Sequence, residues 1–246
     1  MLGLPDVITA CLFDLDGVLT PTAAVHEAAW KQMFDAYLKT WSTRHDEPFR
    51  AFDTADYERY VDGKPRADGV RSFLASRGIT LPDGTPDDPP SADTVNGLGN
   101  RKNELVLARI HTDGVAPYPG SKRYVEAVGA AGLARAVVSS STNAKDVLAS
   151  AGIAGLFDFV LDGHAVTDEG LAGKPAPDTF LAAAKRLGAV PAAAAVFEDA
   201  LAGMQAGRAG HFGFVVGVDR LHQADALRQA GASVVVEDLA DLLPAT

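Results

Sequence analysis

Residues 7–17 read VITACLFDLDG, a mostly apolar run that ends in Asp14 and Asp16 and is followed by Gly17. A short apolar run bounded by turn residues is typical of a strand buried in a parallel sheet. We therefore predict a strand over Val7–Phe13, with Asp14 at its end. Residues two apart in extended backbone point the same way, so the two carboxylates start on one side as the chain leaves the sheet.

Further apolar runs bounded by turn residues predict five more strands: Ala134–Val138, Phe157–Val160, Ala194–Phe197, Phe212–Val218 and Ser233–Val236. Stretches with helical character lie between them: Lys122–Ala131, Ala144–Ala151, Asp178–Leu187 and Ala200–Ala209. This alternation predicts an α/β fold with a doubly wound, Rossmann-like parallel sheet.

Residues 22–112 break the alternation, because they contain helical stretches and no convincing strand. The helical stretches are Val25–Leu38, Asp56–Tyr60, Asp68–Arg77 and Arg101–Ile110. We predict a helical cap domain over 22–112, inserted into a catalytic core made of 1–21 and 113–246. Inside the cap, Leu81–Asp93 is rich in proline, aspartate and glycine and is predicted to be a mobile surface loop.

Composition narrows the classes of function. The 246 residues carry a formal net charge of -10 without a long basic stripe, which argues against nucleic acid or an anionic membrane as partner. The single cysteine, Cys11, excludes an internal disulfide and a cysteine zinc site, and its apolar context predicts a buried thiol. No signal-peptide pattern and no run of about 18 apolar residues is visible, so we expect a cytoplasmic protein.

The aspartates suggest phosphoryl transfer. An aspartate can act as nucleophile and become an acyl phosphate, and a carboxylic acid two residues on can move the proton of a hydroxyl group. Because two anions would repel a phosphate, a cation is required, and Mg²⁺ prefers oxygen ligands. Asp14 and Asp199 would be side-chain ligands, with Glu198 as a further ligand or outer-shell acceptor. The alternatives are an Asx turn at Asp14–Gly17 and N-capping of a helix by Glu198 and Asp199.

Two other polar residues fit the same site. Ser139 follows a predicted strand, as Asp14 and Asp199 do, and parallel strands bring their carboxyl ends to one edge of the sheet. Its hydroxyl could donate to a phosphate oxygen, and Lys174 could offset the negative charge of carboxylates and phosphate. Taken singly, Ser139–Asn143 could be only a turn and helix cap, and Lys174 only a solvated lysine.

In order and placement these residues resemble the four motifs of the haloacid dehalogenase superfamily of phosphotransferases. Asp14 and Asp16 match the first motif, Ser139 the second, Lys174 the third and Glu198-Asp199 the fourth. The resemblance implies that Asp14 is the nucleophile and Asp16 the acid/base. It also implies Mg²⁺ on Asp14, the Asp16 backbone carbonyl and Asp199. The dehalogenase branch lacks the second aspartate, so Asp16 favours phosphoryl transfer.

His26 near the start of the predicted cap, the basic turn Gly63–Arg66 and the Lys102-Asn103 pair together resemble the cap of the β-phosphoglucomutase branch of this superfamily. This likeness implies that Arg66 holds a distal phosphate, that Lys102 and Asn103 contact the sugar phosphate, and that His26 assists closure and proton positioning. Asp62 precedes Gly63 where that branch has a lysine, and Lys64 follows. The implied substrate-binding residues are Thr20, His26, Gly63, Lys64, Arg66, Lys102, Asn103, Ser140, Ser141 and Asn143.

The implied reaction interconverts β-glucose 1-phosphate and glucose 6-phosphate through phospho-Asp14 and β-glucose 1,6-bisphosphate. We expect a monomer that acts on a small sugar phosphate. Two alternatives stay open at this point. One is a hydrolytic sugar phosphatase with water as the acceptor, and the other is a non-catalytic module that binds phosphosugars.

Overall fold

The computed structural model describes residues 2–244, which form two compact units. The core unit comprises the described residues up to Pro21, then Gly63–Pro65, and the chain from Val115 onward; the helical unit comprises Thr22–Asp62 and Arg66–Gly114. Gly63–Pro65 therefore belong to the core unit, although the sequence groups them with the insertion. The second boundary falls between Gly114 and Val115, two residues after the predicted one.

The core unit is built on a parallel sheet, which confirms the predicted α/β fold. Within the described residues the sheet has six strands in the order β3-β2-β1-β4-β5-β6. Their bounds are β1 Ala10–Phe13, β2 Ala134–Val138, β3 Phe159–Leu161, β4 Ala194–Glu198, β5 Phe214–Val218 and β6 Val234–Val236. The chain winds outward from β1 in one direction and then in the other, so the ends of β1 and β4 meet where the strand order reverses.

Ten α-helices lie within residues 2–244, and the first four form the helical unit. In chain order they are α1 Thr22–His45, α2 Thr54–Tyr60, α3 Arg66–Ser76, α4 Val95–Asp113, α5 Pro119–Ala130, α6 Ala144–Ser150, α7 Gly163–Asp168, α8 Asp178–Arg186, α9 Leu201–Ala209 and α10 Ala224–Ala230. Neither α7 nor α10 is predicted from the sequence. None of the helices described is both long enough and apolar enough to span a membrane.

β1 is covered on both faces, which explains why its sequence is an unbroken apolar run. Leu12 packs with Phe180 and Met204 in one buried cluster. Phe13 stacks on Phe197 with ring centroids 4.4 Å apart. Burial on both faces is typical of a central parallel strand, and it fixes the position of the residues that follow β1.

The predicted start of β1 is wrong. Val7 is 65% exposed, and the strand begins only at Ala10. The backbone N–H of Ile8 donates to Pro5 O in a turn, so this part of the apolar run is outside the ladder. β3 and β5 also begin two residues later than predicted.

The helical unit has an aromatic core of its own. Phe34 on α1 lies 5.2 Å from Trp30 and 4.2 Å from Phe73, between ring centroids. As predicted, no residue from 22 to 112, all of which the structure describes, lies in a strand. Leu81–Asp93 is largely exposed, but it is fastened to α4, because Asn100 Nδ2 donates to the carbonyl groups of Pro86 and Asp88 at 2.9 Å.

Candidate active site

The end of β1 leads directly into a tight turn. Asp14 is buried, and its N–H donates to Phe197 O at 2.9 Å, so the backbone is still held by β4. Gly17 has φ +81°, a conformation that glycine adopts without steric cost, and its N–H donates to Thr20 O at 2.8 Å. A Cβ atom at Gly17 would overlap the Asp199 carboxylate. Glycine is therefore needed here both for its φ angle and for its size.

Three buried carboxylates meet at the carboxyl edge of the sheet. Asp14, Glu198 and Asp199 each offer an oxygen, and these oxygens lie within 4.8 Å of one another. Glu198 is the last residue of β4, and a Cβ atom at Gly203 on α9 would overlap its carboxylate. Buried carboxylates at this distance need a cation, because their charges repel and they have lost contact with water.

Lys174 supplies one positive charge to this cluster. Its Nζ lies 2.5 Å from Asp14 Oδ1 and 2.5 Å from Glu198 Oε1, and it donates to Val138 O at 3.1 Å. Burial acts to lower the pKa of Lys174, but the negative charges of Asp14 and Glu198 outweigh burial and raise it. Lys174 is therefore a charged, buried residue, and the solvated-lysine alternative is wrong.

Glu198 is oriented from two sides. Lys174 contacts one of its oxygens, and Ala200 N–H donates to the other at 3.2 Å. Burial raises the pKa of Glu198 to about 7, and Asp14 adds to the rise while Lys174 opposes it. Neither Glu198 nor Asp199 is the N-cap residue of α9, because that residue is Ala200, whose side chain makes no capping hydrogen bond.

The donor set fits a hard divalent cation. Asp14, Glu198 and Asp199 offer oxygen atoms, and one lysine leaves their negative charge incompletely balanced. Mg²⁺ binds carboxylate oxygens and keeps several waters, so a cluster of this size and charge suits it.

The loop after β2 forms a compact hydroxyl-rich turn. Ser139 is buried, and its Oγ accepts from Ser141 N–H at 3.1 Å, which leaves the hydroxyl hydrogen able to donate elsewhere. Ser140 Oγ donates to Gly63 O at 2.9 Å. Ser141 Oγ accepts from the N–H of Asn143, the N-cap residue of α6, at 3.2 Å. The loop is therefore the turn that the sequence offered as an alternative, and it also lies at a strand end.

Three other predicted site residues of the core unit lie in the turn after β1 or in the segment Gly63–Pro65. Asp16 forms an isolated bridge with Thr20 in the turn after β1. Thr20 is fully buried, and Lys64 follows Gly63 in the short segment that groups with the core unit. Asp14, Lys174, Glu198 and Asp199 are the predicted residues that the structure gathers into the buried charged cluster.

In the helical unit, two predicted residues form a pair. The buried Lys102 Nζ lies 2.8 Å from His26 Nδ1 and 4.9 Å from the centre of the Trp30 ring. Burial, together with the charge of Lys102, lowers the pKa of His26 well below its ordinary value. Because the ammonium group can only donate, the neutral imidazole accepts at Nδ1 and carries its proton on Nε2.

The other two predicted residues of this unit lie on separate helices. Arg66 begins α3, and its Nη1 is buried without a hydrogen-bond partner in the part of the chain described. Burial lowers the pKa of Arg66. Asn103 follows Lys102 on α4 and is half-buried.

The sequence interpretation missed Arg220. This residue follows β5, and its Nε donates to Gly17 O at 2.8 Å. The signal that could have drawn attention to it is position, because Asp219 and Arg220 come directly after a predicted strand, as Asp14 and Ser139 do.

A parallel sheet that carries buried carboxylates and a buried lysine at adjacent strand ends defines the class as an α/β enzyme with its site at the carboxyl edge. A family model described as haloacid dehalogenase-like hydrolase matches residues 8–211. The chain belongs to the haloacid dehalogenase-like hydrolase family.

Individual relatives refine this picture. A protein of Mycobacterium bovis named beta-phosphoglucomutase is 58% identical over 99% of this chain and 94% of its own length. A crystal structure of beta-phosphoglucomutase from Clostridium difficile superposes with a TM-score of 0.74 at 26% identity, covering 96% of this chain and 93% of the other. A phosphorylated carbohydrates phosphatase of Thermotoga maritima is 25% identical over 93% of this chain and 94% of its own length.

Proposed function

We propose that this protein is a Mg²⁺-dependent phosphomutase that interconverts β-glucose 1-phosphate and glucose 6-phosphate. The observation that carries the proposal is the 58% identity, over nearly the whole chain, to a protein named beta-phosphoglucomutase. The buried cluster of Asp14, Lys174, Glu198 and Asp199 supports phosphoryl chemistry at the same site.

Asp14 is the proposed nucleophile. One of its oxygens attacks phosphorus in β-glucose 1,6-bisphosphate, an O–P bond forms, and the bond from phosphorus to the sugar oxygen breaks. The phosphoryl group on Asp14 then passes to the 6-hydroxyl of β-glucose 1-phosphate, which regenerates the bisphosphate. Attack of Asp14 on the C1 phosphate of that bisphosphate releases glucose 6-phosphate. Lys174 limits repulsion between Asp14 and the incoming phosphate, because its charge lies 2.5 Å from the carboxylate.

Asp16 is the proposed acid/base. It accepts the proton of the 6-hydroxyl when that oxygen attacks phospho-Asp14, and it gives the proton to the C1 oxygen when that oxygen leaves. Asp16 comes two residues after the nucleophile Asp14, in the turn that the Gly17 N–H closes by donating to Thr20 O. Ser139 would donate its hydroxyl hydrogen to an oxygen of the transferring phosphoryl group.

Asp14, the backbone carbonyl of Asp16 and Asp199 would hold Mg²⁺, with Glu198 as a further ligand or an outer-shell acceptor. When bound, the ion supplies positive charge that stabilises the phosphoryl oxygens as charge develops on them. Glu198 itself is held by Lys174 and Ala200 N–H, which suits the outer-shell role.

A hydrolytic sugar phosphatase is the second candidate, favoured by the likeness to the Thermotoga maritima phosphatase. The chemistry at Asp14 is the same, but water replaces the sugar hydroxyl as acceptor. Supplying β-glucose 1-phosphate with Mg²⁺ and a trace of the 1,6-bisphosphate separates the two. We expect glucose 6-phosphate to form much faster than inorganic phosphate, and dominant phosphate release would reject the mutase.

The catalytic assignment has its own test. Asp14→Asn removes the nucleophile and should abolish turnover while the protein stays folded. Asp146→Asn, on the exposed surface of α6, is the matched control and should retain full activity. Residual activity of Asp14→Asn near the wild-type level would reject Asp14 as the nucleophile.

Several expectations rest on the sequence resemblance. They are the substrate-binding roles of His26, Arg66, Lys102 and Asn103, and those of Thr20, Gly63, Lys64, Ser140, Ser141 and Asn143. The monomeric state and the cytoplasmic location also stay predictions.

A further inference from the structure

We propose that Arg220 is a positioning residue for phosphoryl transfer, which holds the Asp16–Gly17 turn in the place that the acid/base requires. The inference rests on the proposed function for the role of Asp16, and it adds a residue from beyond β5 to the site.

Arg220 reaches the turn through a direct contact. Its Nε donates to Gly17 O at 2.8 Å, and only 18% of its side chain is exposed. Gly17 follows Asp16 in the chain and packs against the Asp199 carboxylate with no room for a side chain. A shift of the Gly17 peptide would therefore displace Asp16, the proposed acid/base.

The guanidinium of Arg220 is itself fixed by three further contacts. Its Nη1 donates to Glu237 O at 2.7 Å and lies 3.7 Å from Asp238 Oδ2. Its central carbon lies 3.8 Å from the centre of the Tyr118 ring. An arginine held by a carbonyl, a carboxylate and an aromatic face cannot easily change rotamer, so it can act as a rigid support.

Arg220 completes a series of anchors along the turn. Three consecutive carbonyl groups, of Gly17, Val18 and Leu19, each accept a hydrogen bond from a residue far along the chain. The donors are Arg220 Nε at 2.8 Å, Ser121 Oγ at 2.6 Å and Tyr118 N–H at 2.9 Å, respectively. Ser121 on α5 and Tyr118, the N-cap residue of α5, hold the carbonyl groups of Val18 and Leu19. Arg220 holds the carbonyl next to Asp16, and it alone of the three brings a charge.

The loop that carries Arg220 also touches the end of β4. Gln223 Nε2 donates to the Asp199 carbonyl at 3.4 Å, and Gln223 N–H donates to Asp219 Oδ1 at 2.7 Å. Residues 219–223 thus contact the backbone of both Gly17 and Asp199. This segment ties the turn after β1 to the acidic end of β4.

The expected effect is kinetic. A general acid must lie within about 2.6–3.2 Å of the oxygen it protonates. Misplacement by about 1 Å can slow a reaction about 10²-fold. Loss of Arg220 should therefore slow those steps that need a proton from Asp16, and it should spare steps whose leaving group needs no proton.

The test compares two phosphoryl donors that differ in this requirement. β-Glucose 1,6-bisphosphate has a sugar oxygen as leaving group, which needs a proton. Acetyl phosphate releases acetate, which leaves as a stable anion while the Asp14 oxygen forms its bond to phosphorus. Pre-steady-state labelling of Asp14 by each donor, at a Mg²⁺ concentration that saturates each variant, would be measured for the wild type, Arg220→Ala, Arg220→Lys and Arg228→Ala. Arg228 is the matched control, because it is exposed and pairs only with Asp225 in the contacts the structure describes.

We expect Arg220→Ala to slow transfer from the bisphosphate about 10–100-fold. Labelling by acetyl phosphate should change less than about threefold, since it bypasses the general acid. Arg220→Lys keeps the charge but loses the planar guanidinium group, so its rate of labelling by the bisphosphate should lie between those of Arg220→Ala and the wild type. Arg228→Ala should be labelled by both donors at the wild-type rates.

Equal losses with both donors, or no loss with either, would overturn the role of Arg220. Should Arg220→Ala fail to fold, the ratio of the two rates in Arg220→Lys decides in the same way. A wild type that neither donor labels at Asp14 would instead reject the proposed function, and the positioning role would fall with it. The two failures are thus distinguishable.

Discussion

The Nζ atom of Lys174 lies 2.5 Å from Asp14 Oδ1, although 160 positions separate the two residues in the chain. The same ammonium group lies 2.5 Å from Glu198, so one buried cation joins the end of β1 to the end of β4. A buried ion pair of this kind adds little net stability over apolar packing, but removal of one partner leaves the other as an uncompensated buried charge. The arrangement therefore makes the acidic cluster dependent on Lys174.

Replacement of Lys174 by methionine keeps the length of the side chain and removes its charge. We expect the free energy of unfolding without divalent cations to fall by about 3–5 kcal/mol, because Asp14 and Glu198 then lack their partner. Mg²⁺ should raise the unfolding midpoint of this variant more than that of the wild type, because the ion binds only the folded cluster and the carboxylates without Lys174 attract it more strongly. Urea denaturation with EDTA and with Mg²⁺ measures both effects.

The exposed Lys185 on α8 provides the control, and Lys185→Met should change stability by less than about 0.5 kcal/mol. Wild-type stability of Lys174→Met in EDTA would contradict the view that Lys174 balances the buried carboxylates.

Cys11 should be chemically inert in the folded protein. It lies fully buried in β1, and burial raises the pKa of its thiol to about 12, against a smaller opposing effect of Arg135. Because only the thiolate attacks disulfide reagents, we expect no reaction with Ellman's reagent at pH 8 in native buffer and one thiol per chain in 6 M guanidinium chloride. Rapid labelling of the native protein would show that β1 opens readily.

Most of the fold could be predicted from the sequence, because apolar runs bounded by turn residues indicate which segments are buried strands. β2 has the predicted bounds, and the six strands were all expected. The first residue of each strand was harder to predict, because a run of apolar residues does not show where hydrogen bonding to the neighbouring strand begins. Phe212, for example, packs against Phe180 in the core but lies outside the ladder of β5.

The acidic site could be predicted in composition but not in its contacts. Strand ends of a parallel sheet meet, so the proximity of Asp14 and Asp199 follows from topology. The dual pairing of Lys174 does not follow, because it depends on how the loop before α8 runs. The contact of Arg220 with Gly17 depends in the same way on the path of the chain after β5, and no spacing in the sequence encodes that path.

Asp162 should make the stability of the core unit depend on pH. Its side chain is buried, accepts from Ala165 N–H at 2.9 Å as the N-cap of α7, and lies 2.7 Å from Lys145 Nζ. Burial acts to raise the pKa of Asp162, but Lys145 and the Ala165 N–H together outweigh burial and lower it. A lowered folded-state pKa means stabilisation that is complete above the unfolded pKa, about 3.9, and lost as pH falls below it.

We therefore expect Asp162→Asn to be less stable than the wild type by about 1 kcal/mol at pH 7, since it keeps the cap acceptor and loses the charge. The difference should stay constant down to about pH 5 and shrink below about pH 4. Chemical denaturation at a series of pH values measures it, with the exposed Asp168→Asn as control. A difference that grew towards acid would mean that the Asp162 carboxylate destabilises the fold.

Comparison of Gly17 with Gly132 separates the effect of backbone strain from the effect of a changed metal site. Gly17 and Gly132 have nearly the same φ angle, +81° and +77°. A Cβ atom at Gly132 would meet nothing within 4 Å, whereas one at Gly17 would overlap the Asp199 carboxylate. In each substitution by alanine, backbone strain should lower the free energy of unfolding by about 1–2 kcal/mol, because an L-residue is strained at positive φ, and at Gly17 the overlap with Asp199 adds to this cost.

Only Gly17→Ala should also displace Asp199 and so weaken Mg²⁺ binding. We expect the Mg²⁺ concentration for half-maximal activity to rise about 10–100-fold in Gly17→Ala, as when a group that orients a metal ligand is lost, and to stay unchanged in Gly132→Ala. Urea denaturation and Mg²⁺ titration of the initial rate measure the two quantities separately. An unchanged Mg²⁺ requirement in Gly17→Ala would show that Asp199 does not hold the ion, since its carboxylate cannot keep its place beside a methyl group at position 17.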